Sequence, residues 1–113
     1  MDKVKPIILK DAVDGREYTL EFSRASIMYA ERKGFNIADL GAYPMTKIPE
    51  FFWYAFRMHH PEVTKQQAEI ILQRMGGLRD DVADRLVDLY SEPFKTLTGD
   101  EEDSKNPQVE VLL

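Results

Sequence analysis

The sequence predicts an α+β fold that is mostly α, with an N-terminal β-hairpin, a bundle of four to five short helices and a flexible C-terminal tail. Two segments near the N-terminus are rich in the β-branched and aromatic residues that favour strands. Capping residues, glycines and prolines divide the rest into short segments with apolar residues at helical spacing. The 113 residues suffice for one domain. We place its globular part at residues 1–97 and an acidic, disordered tail at residues 98–113.

The hairpin is predicted from residues 7–9 and 18–22. In the second strand Tyr18, Leu20 and Phe22 alternate with polar residues, so one face should be buried. Asp14 and Gly15 form the residue pair that tight hairpin turns favour. Because an isolated hairpin is marginally stable in water, it must pack on the helices or pair with another chain.

The first helix is predicted to begin after Ser23, a good N-cap residue, and to run to about Lys33. Gly34 follows as a left-handed stop, and Phe35 can fold back on the last turn. Asn36 then caps a short helical turn.

The second helix holds the most aromatic stretch of the chain, residues 51–58. Thr46 is predicted as its cap, with Pro49 in the first turn, where a missing N–H costs nothing. The helix should end at His59 or His60, because the residue before a proline avoids helical geometry.

Two further helices are predicted towards the C-terminus. A capping box at Thr64 opens one helix, which a pair of glycines ends. Asp80 or Asp81 opens the last, and Pro93 should kink it or end it near Ser91.

The aromatic helix has two sides with different predicted roles. A core-facing side is formed by Ile48, Phe51, Phe52, Ala55 and Met58. Trp53, Tyr54 and Arg57 lie on the other side and are residue types enriched at binding hot spots. Either this side contacts a partner, together with Met58, or the hairpin or the last helix covers it.

The C-terminal segment Val109, Val111 and Leu113 alternates with Glu110 and Leu112. Such a segment could add as a strand to the sheet edge of a partner. The alternative is a plain disordered terminus.

Composition argues against several functions. The chain has no cysteine, which excludes disulfides and thiolate chemistry and suits a reducing cytoplasm. The adjacent His59 and His60 would point about 100° apart on a helix and cannot easily share one metal ion. We find no nucleophile or phosphate-binding motif. We therefore expect no enzymatic activity, no catalytic residue, no cofactor and no metal.

The net charge of −5 lies mostly in the tail, where five acidic residues after Thr98 stand against one lysine. An acidic chain without a basic stripe is repelled by phosphate, so nucleic-acid binding is not expected. The longest apolar run reaches about half of a membrane span, and no apolar signal region follows the N-terminus. We expect a cytoplasmic protein without membrane contact.

An ordered series of motifs carries a family resemblance from about Ile7 to Leu97. They are residues 9–24 of the hairpin, 31–37, 54–61, 76–78, 86–90 and 93–94. Together they resemble the small tail assembly chaperones of long-tailed phages and prophages of Gram-positive bacteria. The resemblance implies a non-enzymatic protein that coats the tape measure protein, recruits major tail tube subunits and is absent from the mature virion. Many members also have a longer frameshifted form.

Self-association and an exposed apolar surface would fit such a chaperone, since methionine adapts to varied partners. Two other functions stay open. One is a head–tail connector or tail completion protein that persists in the virion. The other is a small host-directed regulatory protein that binds DNA or a bacterial protein.

Overall fold

The computed structural model describes residues 4–98 and 109–113, and it confirms the predicted fold class. A two-stranded antiparallel hairpin precedes four α-helices and one short 3-10 helix. The elements are β1 Ile7–Lys10, β2 Glu17–Leu20, α1 Arg24–Arg32, the 3-10 helix Ile37–Leu40, α2 Pro44–Tyr54, α3 Lys65–Arg74 and α4 Asp80–Thr98. Most of the predicted tail lies outside the described residues. Residues 109–113 are exposed and have no regular secondary structure.

The hairpin pairs Ile7 with Leu20 and buries the face predicted from the alternation, with Tyr18, Leu20 and Phe22 all in the core. Its connection covers residues 11–16, so it is longer than a two-residue turn. Gly15 has a positive φ of 74°, a conformation that glycine adopts without steric cost. Asp11 accepts a hydrogen bond from the Val13 N–H and also pairs with the Arg74 guanidinium of α3. The loop is therefore tied to the helical part.

The caps around α1 follow the predicted positions. Ser23 and Ser26 form a reciprocal capping box at its N-terminus. Gly34 has a φ of 88°, and the Phe35 N–H donates back to the Ala30 carbonyl. Asn36 caps the 3-10 helix by accepting from the Ala38 N–H. This pattern turns the chain sharply and places Phe35 in the core.

Helix α2 differs from the prediction at both ends. It begins at Pro44, because proline suits the first helical position, so Thr46 lies inside the helix rather than capping it. It ends at Tyr54, and the chain continues to His60 in turns. The Ala55 carbonyl accepts from the Glu21 N–H (3.1 Å) instead of from a residue one turn ahead. A tertiary hydrogen bond to the end of the hairpin therefore replaces the next helical bond.

The same change of geometry alters which aromatic residues are buried. Phe51, Phe52 and Ala55 lie in the core as predicted, but Phe56 and Tyr54 join them. Met58, predicted on the core side, is 41% exposed. Because the chain leaves the α-helix after Tyr54, the helical spacing that assigned Met58 to the core no longer applies.

The two histidines also attach this segment to β2. The Thr19 N–H donates to His60 Nε2 (2.9 Å), and His59 Nε2 lies 2.8 Å from Glu21 Oε1. The outer edge of β2 is thereby occupied at Thr19 and Glu21, which protects it from pairing with another strand.

Helices α3 and α4 complete the fold. Thr64 and Gln67 form the predicted capping box, and Gly76 and Gly77 follow α3 with positive φ. Helix α4 continues through Pro93 to Thr98, so of the two predicted outcomes, a kink at Pro93 or an end near Ser91, the end is wrong. Among residues 4–98 and 109–113, no helix has the length and hydropathy needed to cross a bilayer.

An aromatic stack lies at the centre of the core and joins four parts of the chain. The Phe51 ring is stacked between Phe22, at 5.4 Å and 11°, and Phe35, at 5.8 Å and 3°. Tyr90 of α4 meets these three rings edge-on, at 5.1–6.2 Å between centroids. Both geometries are favourable for aromatic pairs. We refer to Phe22, Phe35, Phe51 and Tyr90 as the aromatic stack.

Replacing Phe51 by alanine should destabilise the protein by about 3–5 kcal/mol, because it removes the central ring and leaves a cavity. Urea denaturation followed by circular dichroism measures this free energy of unfolding. Met45→Ala on the same helix is the control; its side chain is 90% exposed, so a change within about 0.5 kcal/mol is expected. Similar stabilities of the two variants would contradict the central role of the stack.

Candidate interaction site

An open apolar groove lies between α1 and the C-terminal half of α4. Its volume is about 220 Å³, and it is lined by Arg24, Ile27, Met28, Glu31, Pro93, Phe94 and Leu97. We refer to it as the α1–α4 groove. Small-molecule sites usually have roughly 300–1,000 Å³. The groove therefore suits a few side chains of a protein partner better than a cofactor.

The groove exists because the C-terminal part of α4 extends beyond the buried core. Leu86, Leu89 and Tyr90 are buried, whereas the next apolar residues along the helix are not. Phe94 is 36% exposed and Leu97 is 57% exposed. On α1, Ile27 and Ala30 face the core and Met28 lies beside them at 39% exposure. Apolar side chains of both helices thus remain open to solvent next to each other.

Pro93 shapes the α4 wall of this groove. Its missing N–H leaves the Leu89 carbonyl without the usual helical donor, yet the helix continues for another turn. Phe94 and Leu97 stay three residues apart on one helix, which places them on the same face. A helix that ended near Ser91, one of the two predicted outcomes, would lack this wall.

Charged residues border the groove on the α1 side. Arg24 opens α1 and is exposed, and among the described residues it forms no ion pair. Glu31 lies about two turns further along the same helix. Burial raises the pKa of the Tyr90 hydroxyl, and the nearby Glu31 carboxylate adds to the effect. The groove is therefore apolar inside with a charge of each sign at its rim.

The aromatic side predicted as a binding surface is largely engaged within the protein. Trp53 is partly buried, and its Nε1–H donates to the Val63 carbonyl at 3.0 Å. Tyr54 is only 5% exposed, against the rings of Tyr29 and Phe35. The space beside these residues has a volume of about 10 Å³, too small for a partner side chain.

Two residues of the predicted surface do reach solvent. Arg57 is exposed, and its guanidinium lies 3.9 Å above the centre of the Tyr29 ring, as in a cation–π contact. Met58 is exposed next to it. The structure thus separates the predicted set into buried Tyr54, partly buried Trp53 and the exposed pair Arg57 and Met58.

The predicted tail residues Val109, Val111 and Leu113 are all exposed. They belong to no helix or strand. Sequence reasoning did not identify Met28, Phe94 and Leu97 as one site. Met28 lies on α1, whereas Phe94 and Leu97 lie on α4, so this site depends on how two helices far apart in sequence pack in the folded chain.

A second cleft lies between the hairpin loop and α3. Its walls include Asp11, Asp14, Arg16, Glu62 and Arg74, so it is rich in charge. The Asp11–Arg74 ion pair bridges the two sides. Within the described residues, no three histidine or carboxylate side chains converge as metal ligands. This cleft joins two elements, and beside it a further space of about 250 Å³ has Leu9, Val13 and Met75 in its walls.

These features define a small α-rich domain built on a hairpin, with an open apolar groove at one end. The chain belongs to the DUF5055 family, described as a domain of unknown function, whose family model matches residues 1–113. Comparison with curated proteins and with solved structures finds no match.

The hydrogen bond from the Trp53 indole N–H to the Val63 carbonyl predicts a structural role for this side chain. Trp53→Phe should lower the free energy of unfolding by roughly 1–3 kcal/mol, because the carbonyl of the buried Val63 loses its donor. Arg57→Ala should cost no more than about 1 kcal/mol, since its contact with Tyr29 is exposed. Urea denaturation of both variants compares the two. Unchanged stability in Trp53→Phe, with weaker binding of a partner, would support the binding role instead.

The raised pKa values of two tyrosines predict that the protein loses stability at high pH. Burial raises the pKa of Tyr54, with smaller contributions from Glu50 and Tyr29, and burial and Glu31 raise that of Tyr90. Above pH 10, where an unfolded tyrosine begins to ionise, the unfolded chain releases protons that the folded chain retains. The free energy of unfolding should therefore decrease as pH rises from about 10.

Urea denaturation from pH 8 to about 11 measures this slope, and Tyr54→Phe and Tyr90→Phe should each make it shallower. The stability of each variant at pH 8 is its own control, because at that pH both tyrosine hydroxyls are protonated in the folded and in the unfolded chain. A slope that stays the same in both variants would contradict the assignment.

Proposed function

We propose that this protein is a tail assembly chaperone of long-tailed phages and prophages, and that the α1–α4 groove binds an apolar helix of the tape measure protein. The observation that supports this proposal most directly is the groove itself. Met28, Phe94 and Leu97 offer a continuous apolar surface that the folded chain leaves uncovered. Helix-in-groove binding uses such a surface to bury the apolar face of an amphipathic helix.

The composition of the groove suits a client with varied sequence. Met28 has a flexible, polarisable side chain that adapts to different partners. The groove is also small, so one copy covers only a short part of a client helix. A long tape measure helix would then bind many copies along its length, and avidity would compensate for weak individual contacts.

The family resemblance supplies the remaining parts of the proposal. It implies that the bound protein recruits major tail tube subunits, which displace it, and that it leaves before the virion matures in the host cytoplasm. The exposed pair Arg57 and Met58 is available as a second surface for such a subunit. Mass spectrometry of purified particles distinguishes this function from that of a connector or completion protein, which would remain in the virion.

Co-expression with the tape measure protein tests the proposal. The protein should keep the tape measure protein soluble, and Met28→Asp and Leu97→Asp should abolish that effect. Placing a carboxylate in the groove should weaken binding about tenfold or more, because a buried apolar contact is lost and a charge must be desolvated.

Val13→Asp is the matched control, because Val13 is an exposed valine of the hairpin loop that does not line the groove. Circular dichroism and urea denaturation establish that all three variants are folded. If the tape measure protein is equally soluble without the chaperone, the assignment fails. If Val13→Asp is as defective as the groove variants, the groove is not the binding site.

A further inference from the structure

His60 is attached to the outer edge of β2 by a hydrogen bond that only a neutral imidazole can accept. The Thr19 N–H donates to Nε2 of this ring at 2.9 Å. A ring nitrogen that accepts a hydrogen bond carries no proton, so the proton of the neutral ring lies on Nδ1. The carboxylate of Glu62 supports this tautomer, because its Oε1 lies 3.8 Å from Nδ1.

The register of the hairpin explains why the Thr19 N–H needs this acceptor. The Asp11 N–H donates to the Arg16 carbonyl, so these opposite residues form a hydrogen-bonded pair just beyond the two strands. Hydrogen-bonded and non-hydrogen-bonded pairs alternate along an antiparallel ladder, which makes Thr19 and Ile8 a non-hydrogen-bonded pair. The Thr19 N–H therefore points away from β1, and His60 supplies the acceptor that the hairpin cannot.

The adjacent His59 responds to a proton in the opposite sense. Its Nε2 lies 2.8 Å from Glu21 Oε1, and a positive charge on the imidazole strengthens this contact. On His60 the second proton must go to Nε2, where it would face the Thr19 N–H instead of accepting from it. Protonation of one histidine thus strengthens its contact with β2, and protonation of the other breaks its contact.

We propose that His60 is a pH-sensitive switch that releases the outer edge of β2 at Thr19 when its imidazole takes up a second proton. An exposed imidazole takes up this proton at about pH 6.5. The Glu21 N–H keeps its bond to the Ala55 carbonyl, which does not titrate, so the release is local. Acid thus frees one backbone donor at a strand edge that is closed at neutral pH.

The charged and titratable groups that face the His60 ring come from the hairpin, α1, α2 and the connection after α2. They are Tyr18, Tyr29, Tyr54, Arg57, His59 and Glu62. The Arg16 guanidinium lies on the Tyr18 ring, 5.2 Å from its centre. Glu62 attracts the second proton, whereas Arg57 and Arg16 oppose it. Because charges of both signs surround the ring, the hydrogen bond from Thr19 is the interaction that the second proton must break.

Backbone amide exchange of the full-length protein, followed by NMR from about pH 7.5 to about pH 5, tests the switch. Each rate is compared with that of an unstructured chain at the same pH, because exchange itself slows in acid. Protection of the Thr19 N–H should decrease about twofold to tenfold, as expected for the loss of one hydrogen bond. Protection of the Glu21 N–H should stay the same. Nitrogen chemical shifts of the His60 ring should place the proton on Nδ1 at about pH 7.5.

Two substitutions separate the acceptor of His60 from its charge. His60→Gln keeps a hydrogen-bond acceptor but cannot take up a proton, so protection of Thr19 should become independent of pH. His60→Phe keeps an aromatic ring against Tyr18 but has no acceptor, so Thr19 should be weakly protected at every pH. His59→Gln is the matched control and should respond to acid as the parent does. Circular dichroism establishes that the variants are folded, and the measurement on the parent protein depends on none of them.

Four results would overturn the proposal. In the parent protein, these are unchanged protection of Thr19 in acid, equal loss of protection at Thr19 and Glu21, and a proton on Nε2 of His60 at about pH 7.5. Equal loss would mean that acid opens the whole edge, and a proton on Nε2 would exclude this nitrogen as an acceptor. The fourth is a response to acid that His60→Gln retains and His59→Gln removes, which would assign the titration to His59.

Discussion

The aromatic stack is the contact on which the arrangement of the fold depends. Phe22 follows the hairpin, Phe35 follows α1, Phe51 lies on α2 and Tyr90 lies on α4, so each ring belongs to a different part of the chain. Stacked and edge-on rings tolerate little displacement, because each pair contributes about 0.5–1.5 kcal/mol beyond the burial of its area. The stack therefore fixes where α1 and α4 lie relative to the hairpin.

That position also determines where apolar surface remains exposed. The core ends at Tyr90, whereas α4 continues to Thr98, so the last apolar residues of the helix extend past the groups that could cover them. Meanwhile the core takes most of the aromatic helix, including Tyr54 and Phe56. The richest aromatic stretch in the sequence mainly stabilises the domain, and the open apolar surface lies at the end of a less conspicuous helix.

Features set by neighbouring residues, such as helix caps, could be predicted from the sequence. Features set by contacts between distant residues could not. The N-cap at Ser23, the capping box at Thr64 and the left-handed Gly34 act within a few residues, so their positions follow from the chain alone. The end of α2 depends on the hydrogen bond from Glu21 to Ala55, which joins residues more than thirty positions apart. The continuation of α4 through Pro93 likewise depends on context, because the intrinsic preference of proline opposes it. The groove combines both difficulties, since it needs α4 to continue and α1 to lie beside it.

An open apolar groove carries a risk of non-specific association, and the charge of the chain limits that risk. Four of the five net negative charges lie after Thr98, directly beyond the groove in sequence, so the like charges of two approaching copies oppose non-specific association. Arg24 and Glu31 at the rim add a requirement for complementary charge that a purely apolar contact would lack. Repulsion over distance and a small apolar contact at close range together favour partners that match the groove in both shape and charge.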